Sequence, residues 1–243
     1  MPLDVLARAE SLSATPTYRD LSDWVVLKFL DGVRKGVFTP GQRLREEGLA
    51  RFFGVSRAPV RHALHKLEQL GVIERRQPRG MYVRAWTDRD RAEILALLDA
   101  LILLSVQLSI GRVTEESFAQ LDQIISDTRA AASQTPNDQA QIERDANFHL
   151  IIARASGNRR LVELMEQLML PLQLYVKESH EYFQADFWLR IHCGLLEALR
   201  KGDLDAAIAC ALRNARESRA MLLRETITDS QSQPIRPEQS GER

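Results

Sequence analysis

From Tyr18 onward, apolar residues recur at helical spacing. Leu21, Val25, Leu27, Phe29 and Leu30 fall mostly along one face, and the run ends near Lys35-Gly36. Thr39-Pro40-Gly41 follows; proline presets φ and glycine tolerates positive φ, so a tight turn is expected. A short helix is predicted from about Glu46 to Phe53, stopped by Gly54. Ser56 stands where it can cap the next helix, with Pro59 in the first turn, where a missing N–H costs little. Val60, Leu64, Leu67 and Leu70 give that helix an apolar stripe, and Gly71 ends it. Val72-Ile73-Glu74-Arg75 and Met81-Tyr82-Val83-Arg84 then read as two short strands around the turn Gln77-Pro78-Arg79-Gly80. Three helices and a hairpin over residues 18–85 predict a winged helix-turn-helix.

Beyond Ala85-Trp86 the pattern is helical throughout. Thr87 caps a predicted helix over about 88–110, and Thr114 one over 114–132. Pro136 precedes a third that ends at Ser156-Gly157, and Asn158 starts a fourth through Leu161, Leu164, Leu168 and Leu172. A fifth centres on Phe187–Leu199, and a sixth runs from Asp203 to about Arg224. The expected fold is therefore mainly α: a winged helix-turn-helix over 18–85 and an all-helical effector bundle over 86–225. A flexible lead-in (1–17) and a polar, disordered tail (226–243) flank them.

Composition changes this picture in two ways. With 44% hydrophobic residues and no net charge among 243, the chain is not predominantly disordered. Two cysteines, Cys193 and Cys210, do not make a disulfide framework, and no signal-peptide pattern opens the sequence. The stretch Leu95–Ile110 is interrupted by Asp99, Ser105, Gln107 and Ser109, which suits a buried helix better than a bilayer span. A soluble, cytoplasmic protein without a membrane partner is the expectation. The neutral total conceals a split: residues 18–84 hold 14 Lys and Arg against 7 Asp and Glu, so the remainder carries the opposite excess. A surface that neutralises phosphates needs such a local excess of positive charge.

The sharpest chemistry in the basic part is Gly54-Val55-Ser56-Arg57-Ala58-Pro59-Val60-Arg61. Arg57 and Arg61 share one helix face near its N-terminus, where a recognition helix presents residues to base edges, and arginine is the usual bidentate reader of guanine. Ser56 and the first-turn N–H groups suit a phosphate. Arg79-Gly80 at the wing tip suits a minor groove. Taken alone, two exposed arginines also fit a merely solvated face. In the acidic part, Asp145 and His149 stand four apart on one helix, and His192 lies on a later one. Converging, they would offer an O,N,N set suited to Zn²⁺, Ni²⁺ or Mn²⁺. The spacing also fits an ordinary helix hydrogen bond beside an unrelated histidine.

Residues 40–84, with PGQRLREEGLARFFGVSRAPVRHALHKLEQLGVIERR and GMYV, resemble the DNA-binding domain of GntR-family bacterial transcription regulators. The resemblance implies base contacts by Arg57 and Arg61, backbone contacts by Arg45 and Ser56, and Gly80 in the groove beside the wing. Gly48 departs from it, since the family more often carries a charged residue there. DANFHLIIARASGN and IHCGLLEALRKGDLDAA resemble the FCD effector domain of the FadR-type subfamily. That likeness implies a divalent metal on an Asp and three His, with small carboxylates completing the coordination. Asp145, His149 and His192 match three of these ligands, whereas the fourth position holds Asn214, a weaker donor. The arginine that family members often carry early in the first effector helix is missing from Ile94–Asp99, which implies either a less anionic effector or one held by other groups such as Arg144 or Arg190. The reading is a homodimeric, effector-responsive regulator bound to double-stranded operator DNA, its effector an organic acid. A metal-dependent hydrolase built on the same Asp/His set is the alternative, although no HExxH or GxSxG motif accompanies it.

Overall fold

The computed structural model describes residues 18–78, 80–132, 138–175 and 185–230. The first helical pattern becomes α1 (Tyr18–Arg34), followed by α2 (Glu46–Phe53) and α3 (Arg57–Gln69). Gly54 makes the α2–α3 turn: its φ of 67° lies in the left-handed region, and the next residue, Val55, donates back to the Ala50 carbonyl at 3.0 Å. Val60, Ala63, Leu64 and Leu67 of α3 then share a core with Val25, Val26, Phe29 and Leu30 of α1. Each buried valine, leucine or phenylalanine among them contributes about 1.5–3 kcal/mol.

The hairpin forms as β2 (Ile73–Arg76) and β3 (Gly80–Val83), with Ile73 opposite Val83 and Arg76 opposite Gly80. A further strand, β1 (Arg43–Leu44), joins the other edge of β3, Arg43 opposite Tyr82. Only two strands were expected. Two residues are too few to show an alternation, and it is tertiary pairing that makes them a strand: the Val83 N–H donates to the Gln42 carbonyl at 2.9 Å.

The second unit is built from α4 (Asp88–Ser109), α5 (Glu115–Ala131), α6 (Asp138–Ala155), α7 (Arg159–Tyr175), α8 (Ala185–Lys201) and α9 (Leu204–Ser230). Thr87 starts α4 with a reciprocal capping box to Asp90. Thr114, Asn158 and Asp203 cap α5, α7 and α9 by accepting from the N–H of Ser117, Leu161 and Ala206. Ser56 differs. It occupies the N-cap position of α3 with extended backbone, but its hydroxyl makes no capping bond. The position is exposed, so solvent can serve the first amides of α3.

Three further expectations change. α4 is not buried all round: Leu97 and Leu104 are exposed, while Ser105 and Ser109 are buried along with Ile94, Leu95, Leu98, Ile102 and Val106. Each serine bonds a carbonyl three residues back in its own helix (Ile102 and Val106), which removes most of the cost of burying it. By length and apolarity α4 would pass as a membrane span; here it packs against α6, α7 and α9. On α7, Leu164 faces outward, because Leu161 and Met165 one turn apart take the inner face. Finally, α9 continues to Ser230, so residues 226–230, expected within the tail, are helical. Residues 1–17 and the rest of the tail, 231–243, lie outside the described residues.

One helix belongs to both units. Met165 and Met169 of α7 pack in the bundle with Ile94, Leu98 and Leu150, whereas Leu170 and Leu174 are buried in the winged-helix core. Pro171 lies inside α7 between Leu170 and Leu174. Beside this joint, Arg34 of α1 pairs with Glu143 of α6 at 3.2 Å.

Candidate functional site

α3 buries Val60, Ala63, Leu64 and Leu67, and Arg57 and Arg61, one turn apart at its N-terminal end, flank that buried stripe. Their side chains are 63% and 59% exposed. Neither is unpaired. The Arg61 Nε–H donates to Glu46 Oε1 at 3.1 Å and Nη2 to Oε2 at 3.0 Å, while Arg57 meets Glu47 through a single 3.3 Å contact. The hydrogen bond that Arg61 donates to Glu46, and then the Glu46 charge, raise the Arg61 pKa above its ordinary value. Arg45 is exposed at the N-cap of α2, and Ser56 is exposed at the N-cap of α3.

Gly80 opens β3 with φ 106°, a conformation that L side chains rarely adopt. Arg79 lies outside the described residues. Arg43, which sequence reading did not single out, reaches this end of the wing: its Nε and Nη2 lie 3.8 Å from where a Gly80 Cβ would stand. Its two-residue strand gave no pattern from which to find it. Glu46 and Glu47 also went unnoticed, because their importance comes from packing α2 beside α3.

The second constellation is buried. Asp145 and His149 stand one turn apart on α6, and α8 brings His192 across to them. His192 Nε2 lies 3.2 Å from Asp145 Oδ1 and 3.3 Å from His149 Nε2; His149 Nε2 lies 3.7 Å from the same oxygen. Both imidazoles are 2% exposed and Asp145 is half-buried. Trp188, one turn before His192, was not anticipated. Its indole N–H donates to Asp145 Oδ1 at 2.8 Å, its ring stacks on His192 with centroids 4.0 Å apart, and its carbonyl receives the His192 Nδ1–H at 2.8 Å. The i, i+4 relation of Trp188 and His192 was the available signal.

That last bond places one proton. A carbonyl can only accept, so Nδ1 of His192 carries a proton, and Nε2 is the atom the ring turns toward Asp145 and His149. Burial, opposed by Asp145 and reinforced by His192, drives His149 down to about 4, so this ring is neutral at neutral pH. Burial works against the Asp145 charge as well, yet the His192 bond, the two imidazoles and the Trp188 N–H outweigh it and hold the carboxyl at about 2. Three possible ligand atoms, Asp145 Oδ1, His149 Nε2 and His192 Nε2, therefore converge on one point. Bonds of about 2.1 Å at angles of about 90–110° separate donors by roughly 3.0–3.4 Å; two of the distances, 3.2 and 3.3 Å, fit that spacing, and the third, 3.7 Å, is longer.

Asn214 lies half-buried on α9, the helix packed beside α8. Arg144 donates to the Gln141 side chain at 2.9 Å, and Arg190, 65% exposed, pairs with Glu217 at 3.6 Å. Neither is among the polar contacts found at the Asp145 carboxylate.

Comparison with known proteins matches both regions. Residues 21–83 fit the model of bacterial regulatory proteins of the gntR family, and residues 83–216 fit the FCD domain. The Uxu operon transcriptional regulator of Escherichia coli K12 is 31% identical over 218 residues, covering 80% of this chain and 83% of that protein. The HTH-type transcriptional regulator YdhC of Bacillus subtilis 168 is 29% identical over 187 residues, covering 74% and 83%. Among solved structures, Escherichia coli McbR/YncC superposes with a TM-score of 0.69 at 24% identity, over 85% of this chain and 98% of that one. This last likeness speaks for the fold.

Proposed function

The chain belongs to the GntR family of bacterial regulatory proteins and carries an FCD domain, and from that premise we propose that it binds a pseudo-palindromic operator as a homodimer and answers to a small carboxylate. It is a DNA-binding transcription regulator. Its family and relatives are regulators rather than enzymes, so the hydrolase reading is left without support. Its place of work is the cytoplasm, where operator DNA lies.

In this reading α3 enters the major groove. Arg57 and Arg61 read base edges, Arg45 and Ser56 hold the backbone, and Arg79 with Gly80 approaches the neighbouring minor groove. A two-fold dimer matches two half-sites, which is why a pseudo-palindrome is expected. In the bundle, Asp145, His149 and His192 hold a divalent ion of the Zn, Ni or Mn type, with Asn214 or a water completing the set. The ion would supply Lewis-acid positions for the oxygens of an organic-acid effector. The protein keeps a proton on His192 Nδ1 through the Trp188 carbonyl and keeps His149 unprotonated by burial.

The observation that carries the effector half is the convergence of His192 Nε2 on Asp145 Oδ1 at 3.2 Å and on His149 Nε2 at 3.3 Å. Elemental analysis before and after loading with Zn²⁺, Ni²⁺ or Mn²⁺ tests it. About one ion per chain is expected for the wild type, none for His149→Ala, and tighter binding for Asn214→His. A wild type that holds no stoichiometric ion in either state removes the metal from the account.

A further inference from the structure

We propose that Glu46 is a positioning residue for base recognition: it holds the Arg61 guanidinium side-on and leaves its end-on edge for a guanine. The proposal rests on Arg61 as a base reader, and its test separates the failure of one from the failure of the other.

The geometry is specific to Glu46. Arg61 spends Nε–H and one Nη2 hydrogen on the two oxygens of this carboxylate, at 3.1 and 3.0 Å. Three of its five donors remain, and two of them, on Nη1 and Nη2, form a parallel fork at the far end. That fork is the one that matches guanine O6 and N7. Arg57 has no such brace, because Glu47 meets it at one point, 3.3 Å away, with both side chains more than 60% exposed. The Glu46 side chain is 37% exposed and comes from the first turn of α2, fixed beside α3 by the Gly54 turn.

Two physical effects follow. A guanidinium held at two points loses less rotamer freedom when it docks on a base, so the preformed fork favours the matching pair of acceptors. The carboxylate also offsets the arginine charge, which weakens attraction to phosphate at any sequence while leaving the hydrogen-bond pattern intact. Glu46 thus trades general affinity for discrimination.

The experiment uses the full chain and a duplex pool with a randomised central segment. The most enriched duplex is measured by fluorescence anisotropy with each base pair replaced in turn. Arg61→Ala is expected to flatten the preference for one guanine in each half-site. Glu46→Gln, which keeps size and helix, is expected to reduce the preference at that same guanine about tenfold, within the range one bidentate contact supplies. The other positions stay unchanged, and binding to a scrambled duplex rises because a negative charge is gone. Glu46→Asp keeps the charge but withdraws it by one methylene, and is expected to lose preference in the same direction. The proposal is overturned if Glu46→Gln leaves that preference within about twofold of wild type or sharpens it, since Glu46 would then merely repel DNA or compete for Arg61. It is also overturned if Glu46→Asp behaves as wild type, which would make charge alone the cause. Should Arg61→Ala change no preference at all, base reading by Arg61 fails first and the role of Glu46 falls with it.

Discussion

The winged helix and the helical bundle keep their charged chemistry in opposite places. On α3, Arg57 and Arg61 are more than half exposed and are balanced by glutamates at the surface. In the bundle, His149 and His192 are 2% exposed and close around one carboxylate. Exposed arginines act by summing contacts that salt screens and that tolerate the loss of a member. A buried convergent set acts through geometry, and removing one donor leaves the others uncompensated. The first arrangement suits a long, repetitive polyanion. The second suits one small ligand.

The helix common to both regions offers the largest way to break this division. Leu174→Ala removes a buried side chain from the winged-helix core and is expected to destabilise that unit by about 3 kcal/mol by calorimetry. Metal content at the Asp145 site is expected to persist; if both are lost together, the two regions form a single cooperative unit. A smaller effect sharpens the buried side. Trp188→Phe keeps an aromatic ring over His192 but removes the N–H to Asp145, so metal affinity should fall about tenfold by titration calorimetry with duplex preference unchanged. An unaltered metal affinity would show that the indole bond has no part in orienting Asp145. The smallest effect lies on the exposed side. A Cβ at Gly48 would meet nothing within 4 Å, so Gly48→Ala should stabilise α2 by about 0.5–1 kcal/mol in urea unfolding. A loss of stability there would mean that the side of α2 bearing Gly48 is not open as described.

Much of this was legible in the chain because it rests on local rules. Gly54, Thr87, Thr114, Asn158 and Asp203 end or start helices by backbone and capping chemistry confined to a few residues. The Asp145–His149 pair was legible as one turn of one helix. What could not be read depends on distant packing. β1 exists only because β3 lies beside it. Ser105 is buried and Leu97 exposed, against their polarity, because the serine satisfies itself within the helix. Glu46 acquires a role only when α2 is set beside α3, 15 residues away in sequence. Trp188 matters through a carbonyl and an indole N–H, neither of which any side-chain motif records.

The claim at the centre is that α3 reads bases through its exposed arginines, and one titration addresses it most directly. Wild type and the Arg57→Ala/Arg61→Ala variant are each titrated with the selected duplex and with a scrambled duplex of equal length. For the wild type, the account predicts a preference for the selected duplex and a log-affinity that falls with log salt by about 0.9 per phosphate contact. For the variant it predicts a preference reduced by about a hundredfold, the loss of two bidentate contacts. An undiminished preference in the variant, or a wild-type affinity indifferent to salt, would contradict it.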